Sequence, residues 1–492
     1  MFDQLKKLGS QTALYGLSSI LGKVINFLLV PLHTAVLSKA AFGVNTDIYA
    51  IIAFFIVILT YGMETSFFRF SEKYADKKDS VYTTALLSIV GTTVAFILVF
   101  SVFSQPISSA LKYGDSQQYI WWMVVILGMD AISAIPFARL RAENKAGRFV
   151  FVKLALIFSN VFFNLLFFTP VLVNNSLPFE VLPYWFGQNL GVGYIFLANL
   201  FASTVMLLLL LPQIFKVKFT FDSRLWKEML IFGLPLLISG LAGVANELLD
   251  RQLLKYLLPE SDWQEQLGIY GAVYKLSIFL VLFNQAFRYA AEPFFFSNNK
   301  EVNAKETFAM VMNYFVMIMA TGFVLIMAYL DVVKHFIDEK FWEGLAIVPI
   351  LLLANLFLGI NTNLSFWYKL SDRTNQAIYI TGFGLLITLV LNIWLIPIMG
   401  YAGAAWATLA SYAGMTVLSY FLGQHYYPIP YKTGRILLVV LLAFVFGWLA
   451  YHFSMNTFVP QTAFLLAFLA VLAWLERDAL QKLKLRLQSR KQ

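Results

Sequence analysis

Apolar residues in this chain come in unbroken runs of about 20, parted by short polar breaks. At 1.5 Å per residue such a run crosses a hydrocarbon core of ~30 Å as a helix. A membrane β-barrel would show alternating segments of ~10 residues instead. The runs predict membrane helices near 11–32, 42–63, 81–104, 119–138, 150–173, 191–212, 229–254, 268–290, 307–330, 344–367, 377–397, 402–423, 435–453 and 460–475, fourteen in all. The fold class expected is therefore all-α and polytopic. The longest outer connection runs from about Asn174 to Leu190, too short for a folded domain, so any function resides within the bundle.

Composition agrees. Of 492 residues, 60% are hydrophobic and 13% charged, too little polar surface for a soluble protein of this length. The placement of charge adds an orientation. With an inside N-terminus, 27 of the 36 Lys and Arg fall on inside segments and five on outside ones; Lys23, Lys153, Arg251 and Lys275 fall within spans. That bias places both termini in the cytoplasm. It also explains the net charge of +9 without nucleic acid. The tail ERDALQKLKLRLQSRKQ reads as a basic helix against anionic lipid. MFDQLKKLGSQTALYG at the start reads as a retained first helix, with no small-residue cleavage site.

The chain repeats itself weakly. FGVNTDIY (42–49) aligns with LGIYGAVY (267–274) at an offset of 225. SFFRFSEKYADKKDS (66–80) aligns with PFFFSNNKEVNAKET (293–307) at 226, and NLLFFTP (164–170) with NIWLIP (392–397) at 228. A duplicated six-helix unit follows: one lobe over 1–215, a second over 216–426 in pseudo-twofold repeat, two further helices over 427–476, and a cytoplasmic tail over 477–492. Gly22 and Pro31 interrupt the first helix, and Gly233, Pro235, Gly240 and Gly243 crowd the seventh. Breaks in matching positions suggest a moving or binding element; close helix contact is the competing reading.

Enzyme chemistry finds no foothold. The histidines His33, His335, His425 and His452 have no metal-ligand spacing, and no H-E-x-x-H, P-loop or G-x-S-x-G occurs. The chain has no cysteine, which excludes thiolate catalysis, disulfides and iron–sulfur clusters. No cofactor is expected.

What remains is charge at membrane depth, which is costly unless paired or solvated. Lys23 lies mid-span in the first helix and reads as a cavity cation. Lys275 lies ~10 Å inside its helix, where snorkelling competes with function. Asp130 is close to mid-span and can pair with a buried lysine or bind a coupling H+ or Na+. Arg288 and Glu292 read as a pair near an inner helix end, and Lys153 as an interfacial anchor. In NELLDRQLL, Glu247 and Arg251 stand four apart, in the favourable order for a helical pair; Glu247, Asp250, Arg251 and Lys255 sum to zero charge. Glu247, Asp250 and Arg251 form either an outer gate or a structural pair.

The motifs PLHTAVLSKAAFG (31–43), METSFFRFSEKYADKK (63–78), RLRAENKAGRF (139–149), GLPLLISGLAGVANELLDRQLL (233–254), GIYGAVYKLS (268–277) and NIWLIPIMGYAGAAWATLASY (392–412) carry a resemblance over nearly the whole chain. It resembles the bacterial oligosaccharide flippases and polysaccharide exporters, in the superfamily that also holds lipid II flippases and multidrug extruders. The resemblance implies two six-helix lobes around a central cavity that opens alternately to either side. It implies a polyprenyl-pyrophosphate-linked oligosaccharide as substrate, moved to the outer leaflet of the bacterial cytoplasmic membrane. By position, Lys23, Lys275 and more weakly Arg288 could hold the pyrophosphate. Membrane lipids, and a polysaccharide polymerase or export machinery, would be its partners. The rivals are a cation-coupled multidrug antiporter, whose cavity should be dominated by carboxylates, a lipid II flippase, and a non-transporting membrane scaffold.

Overall fold

The computed structural model describes residues 20–174, 191–217, 220–298, 301–453 and 458–477. Among them every regular element is helical. The elements used below are α1 (Ile20–Val36), α2 (Lys39–Thr60), α3 (Met63–Lys73), α4 (Lys78–Val102), α5 (Gln117–Ala142), α6 (Ala146–Asn174), α7 (Gly193–Phe215) and α8 (Ser223–Leu257). Then come α9 (Trp263–Leu276), α10 (Ile278–Asn298), α11 (Ala304–Ala328), α12 (Val348–Leu364), α13 (Gln376–Met399), α14 (Tyr401–Tyr426), α15 (Thr433–Phe453) and α16 (Phe458–Leu475).

The expected count of fourteen spans is not confirmed. Ten helical stretches among the described residues are long and apolar enough to cross a membrane, or eleven if α9 and α10, bent by 55°, form one. α1 and the Pro460–Leu475 stretch of α16 are apolar but shorter. α14 fails for a different reason. It carries Ala, Gly, Ser and Thr where other spans carry Leu and Ile, and Gly403, Ala404, Ala407, Thr408 and Ser411 are buried in its packing with α12 and α13. Small residues let helices approach, at the expense of hydropathy. The exposed surface elsewhere is rich in large apolar side chains such as Leu28, Phe158, Phe162, Trp394 and Phe421, as a lipid-facing surface requires. Residues 1–19 and the tail beyond Arg477 lie outside the described residues, as does the side chain of Glu292.

The chain divides into two compact units, Met1–Gly271 and Ala272–Gln492. In the first, α8 packs on α2, α3 and α4. The sequence repeat draws its boundary at 215/216; the packing boundary lies later and keeps α8 with the helices before it. α8 opens at Asp222, whose carboxylate accepts from the backbone N–H of Arg224 at 3.0 Å and of Leu225 at 3.1 Å. It then runs 35 residues, through Pro235, without interruption. The expectation of a broken seventh helix is corrected here. Its glycines serve contact instead: a Cβ on Gly233 would lie 2.7 Å from the Tyr61 carbonyl oxygen, and one on Gly240 3.0 Å from Val57.

That contact meets the corner between α2 and α3. Tyr61 (φ 31°) and Gly62 (φ 71°) are both left-handed there, and a Cβ on Gly62 would strike the Gly233 oxygen at 2.7 Å. A second close approach joins α2 to α9. A Cβ on Gly43 would lie 1.9 Å from the Gln264 oxygen, and one on Gly268 1.9 Å from the Lys39 oxygen. The contact is reciprocal: Gly43 and Gly268, and Lys39 and Gln264, are each separated by the repeat offset of 225.

In the second unit, Phe295 stacks on Phe366 at 4.2 Å within a core that includes Phe308, Ala304 and Ile429. Trp367, Ile380, Tyr412 and Met415 form a neighbouring cluster.

Candidate functional site

A cavity of about 440 Å3 opens inside the first unit, lined by α2, α3, α5, α6 and α7. α5 contributes Asp130, Ser133, Phe137 and Arg141, spaced three, four and four apart, hence one face of a helix. α6 adds Phe149, Lys153 and Leu156 by the same periodicity, and α7 adds Met206. The corner at Tyr61–Gly62 brings Thr60, ending α2, and Glu64, starting α3, to the same space. Below it Phe137, Leu140, Phe149, Val152, Met206 and Leu210 form a packed floor.

The polar groups are held in distinct ways. Asp130 Oδ1 accepts from Ser203 Oγ at 2.9 Å. Lys153 Nζ lies 4.5 Å over the Phe137 ring and has no hydrogen bond or ion pair among the described residues. Arg141 pairs with Glu64 and lies over the Phe68 ring at 5.0 Å; its Nε is buried with no partner among the described residues. Two acids and two cations thus face one space, and the cavity is balanced in charge. From Asp130 to Arg141 it extends about 16 Å along α5, at 1.5 Å per residue.

The rim beyond Arg141 is tied by exposed ion pairs. Arg139 reaches Asp79 at 2.9 Å and Glu143 at 2.6 Å, and Lys73 reaches Glu228 at 2.9 Å. Glu143 lies between α5 and α6. Burial pushes its carboxyl up, but hydrogen bonds from Lys145 and Arg139 outweigh this and hold it below the usual range.

A second charged cluster stands at the opposite end of α2. Asp47 and Lys255 are both fully buried and meet at 2.5 Å. Asp47 also accepts from Tyr113 Oη at 2.7 Å and Gln252 Nε2 at 2.6 Å. The Lys255 ammonium lies 4.4 Å over the Tyr113 ring and 5.2 Å over Trp263. Lys112 donates to the Lys255 carbonyl at 3.0 Å and pairs with Glu260 at 2.8 Å.

The residues singled out from sequence fall in different places. Asp130 lines the cavity, and so does Lys153, which was read only as an anchor. Lys23 is exposed on α1, and Arg288 is exposed on α10, 5.8 Å over Tyr289. Lys275 is half-buried one residue before the end of α9, where Ser277 Oγ donates to the Tyr274 carbonyl at 2.7 Å. In the proposed gate, Glu247 is exposed while Asp250 and Arg251 are buried. The contact expected between Glu247 and Arg251 is made through the Glu247 backbone carbonyl, at 3.2 Å from Arg251 Nη1. Asp250 accepts from the Tyr270 hydroxyl and from the Arg251 N–H. Glu64, Arg141 and Asp47 were missed. For Asp47 the signal was present, a lone carboxylate inside a long apolar run.

Comparison with known proteins follows this geometry. A family model described as polysaccharide biosynthesis protein matches residues 8–299. No curated protein sequence matches the chain. Among solved structures, the lipid II flippase MurJ in an inward closed conformation superposes with a TM-score of 0.74 at 14% identity, over 95% of this chain and 99% of that one. A MATE family multidrug resistance transporter of the MOP superfamily, inward-facing, gives 0.60 at 15% identity, over 87% and 95%. A MOP superfamily transporter from Pyrococcus furiosus, noted for the reversed polarity of its binding pocket, gives 0.53 at 14%, over 87% and 96%. These likenesses establish the fold.

Proposed function

The chain belongs to the polysaccharide biosynthesis protein family, and we propose that it is a flippase that carries a polyprenyl-pyrophosphate-linked oligosaccharide from the cytoplasmic to the outer leaflet by alternating access. Its structural neighbours are transporters, not enzymes, and it shares their multi-pass helical fold. The observation that supports the substrate class best is the cavity among the apolar helices with two carboxylates and two cations. A sugar-bearing headgroup cannot cross hydrocarbon without polar compensation, and such a cavity supplies it. A multidrug antiporter should line its cavity chiefly with carboxylates, and this one is balanced.

In this reading Lys23, Lys275 and Arg288 are the candidate cations for the pyrophosphate, and Asp130 is the candidate for coupling to H+, the balanced charge of its cavity disfavouring Na+. The charge bias of the connections supports a place in the bacterial cytoplasmic membrane with both termini inside. The polyprenyl chain stays in lipid throughout.

The test is transbilayer movement of polyprenyl-pyrophosphate-linked oligosaccharide by purified protein in liposomes, with and without ion gradients. Movement faster than in protein-free liposomes is the expected result. Movement of organic cations but not of the glycolipid would give the antiporter reading its place.

A further inference from the structure

The cavity between α2, α3, α5, α6 and α7 suits one class of ligand better than others. We propose that it is a carbohydrate subsite, which takes the sugar units of the headgroup through their hydroxyls while the pyrophosphate is held elsewhere; this rests on the flippase reading above.

The first argument is charge. Glu64 neutralises Arg141 directly, and Asp130 shares the space with Lys153. A dianionic pyrophosphate entering here would meet two carboxylates. A metal cation or organic cation would meet an ammonium and a guanidinium. Like-charge juxtaposition of this kind opposes the wrong ligand. A neutral polyol meets neither objection, because each hydroxyl both donates and accepts.

The second argument is unspent hydrogen-bonding capacity. The Lys153 ammonium, half-buried over the Phe137 ring, offers donors with no hydrogen-bond partner among the described residues. Asp130 is fixed through one oxygen by Ser203, a residue itself 1% exposed, which leaves its other oxygen to accept. A donor and an acceptor therefore both face the cavity, beside apolar and aromatic groups. Buried polar atoms of this kind call for partners, and ligand hydroxyls supply both kinds. The third argument is size. At about 440 Å3 the cavity lies within the range of ~300–1,000 Å3 typical of small-molecule sites.

The absence of native cysteine makes the test direct. Thr60→Cys puts a single thiol on the cavity wall with little change in volume, and Ser133→Cys repeats the measurement from α5. Full-length protein in liposomes is labelled with a membrane-permeant maleimide beside polyprenyl-pyrophosphate-linked oligosaccharide, polyprenyl pyrophosphate alone, or sodium ions. With the sugar-bearing lipid about tenfold over its dissociation constant, labelling should slow about tenfold. The bare lipid and sodium should leave the rate within about twofold, as expected of ligands that do not occupy the site. Equal protection by the bare lipid would make this a pyrophosphate site, and protection by sodium a cation site; either overturns the proposal. No protection in liposomes that still translocate the glycolipid would also overturn it, and would leave the flippase reading intact. Failure of translocation with the wild-type chain would strike that reading instead.

Discussion

Asp47 and Lys255 show what a single buried pair can decide. Both are fully withdrawn from solvent, and Asp47 has two further donors in Tyr113 and Gln252. Removing one member of such a pair leaves the other charged and unpartnered, at a cost of about 3–5 kcal/mol. Asp47→Ala or Lys255→Met should therefore lower the melting temperature in detergent sharply, while the double substitution should recover most of the loss. A double variant as unstable as either single one would show that the neighbours, not the pair, hold this corner. Asp47 was legible in the sequence only as an isolated acid in an apolar run, because its partner is 208 residues away. Asp130 was legible for the opposite reason: mid-span placement alone marks a charge for attention. Lys153 was under-read because distance from a helix end does not reveal whether a cavity adjoins it.

At the scale of the helix, the glycines of α2, α8 and α9 separate into those that touch and those that do not. Gly43 and Gly268 bring backbone against backbone, and a Cβ at either would sit 1.9 Å from a carbonyl oxygen. Gly43→Ala or Gly268→Ala should abolish folded protein, or force α2 and α9 apart, as read by size-exclusion profile and cross-linking of flanking cysteines. Gly243 meets nothing within 4 Å, so Gly243→Ala should fold normally and gain up to about 1 kcal/mol in helix propensity. A null effect at Gly43 would show that the crossing is looser than its geometry. The sequence marked Gly233, Gly240 and Gly243 alike as helix breakers. It could not separate them, since Gly and Pro report local cost while continuity is decided by neighbours that repay it. The helix α14, expected over 402–423 and found over Tyr401–Tyr426, shows the converse: its small residues lower its hydropathy without interrupting the helix.

For the whole molecule, the all-helical, multi-pass class was readable because it follows from the length of the apolar runs. The 225-residue offset reappears as a physical contact between α2 and α9. The cavity was not readable, because it depends on how stripes from five elements converge. Topology is open to a direct check in the cysteine-free chain. A thiol at Asp76→Cys or Arg373→Cys should react with an impermeant maleimide only after inside access is given. Reaction from outside would invert the assigned orientation. Replacing Lys23 and Lys275 together with Gln should cut glycolipid movement by at least about tenfold, the equivalent of one lost charge-assisted hydrogen bond. Undiminished movement would remove them as headgroup cations.

The two ends of the first unit differ in how their ions meet water. Arg139–Asp79 and Lys73–Glu228 are open to solvent, whereas Asp47–Lys255 is sealed. Mobile ions shield exposed attractions within a Debye length of about 8 Å at physiological ionic strength and barely reach interior ones. Rising electrolyte, or acid that protonates Glu143 once pH falls through its lowered titration point, therefore slackens the rim beside the cavity first. The far corner keeps its grip, so the unit is built to loosen from one side.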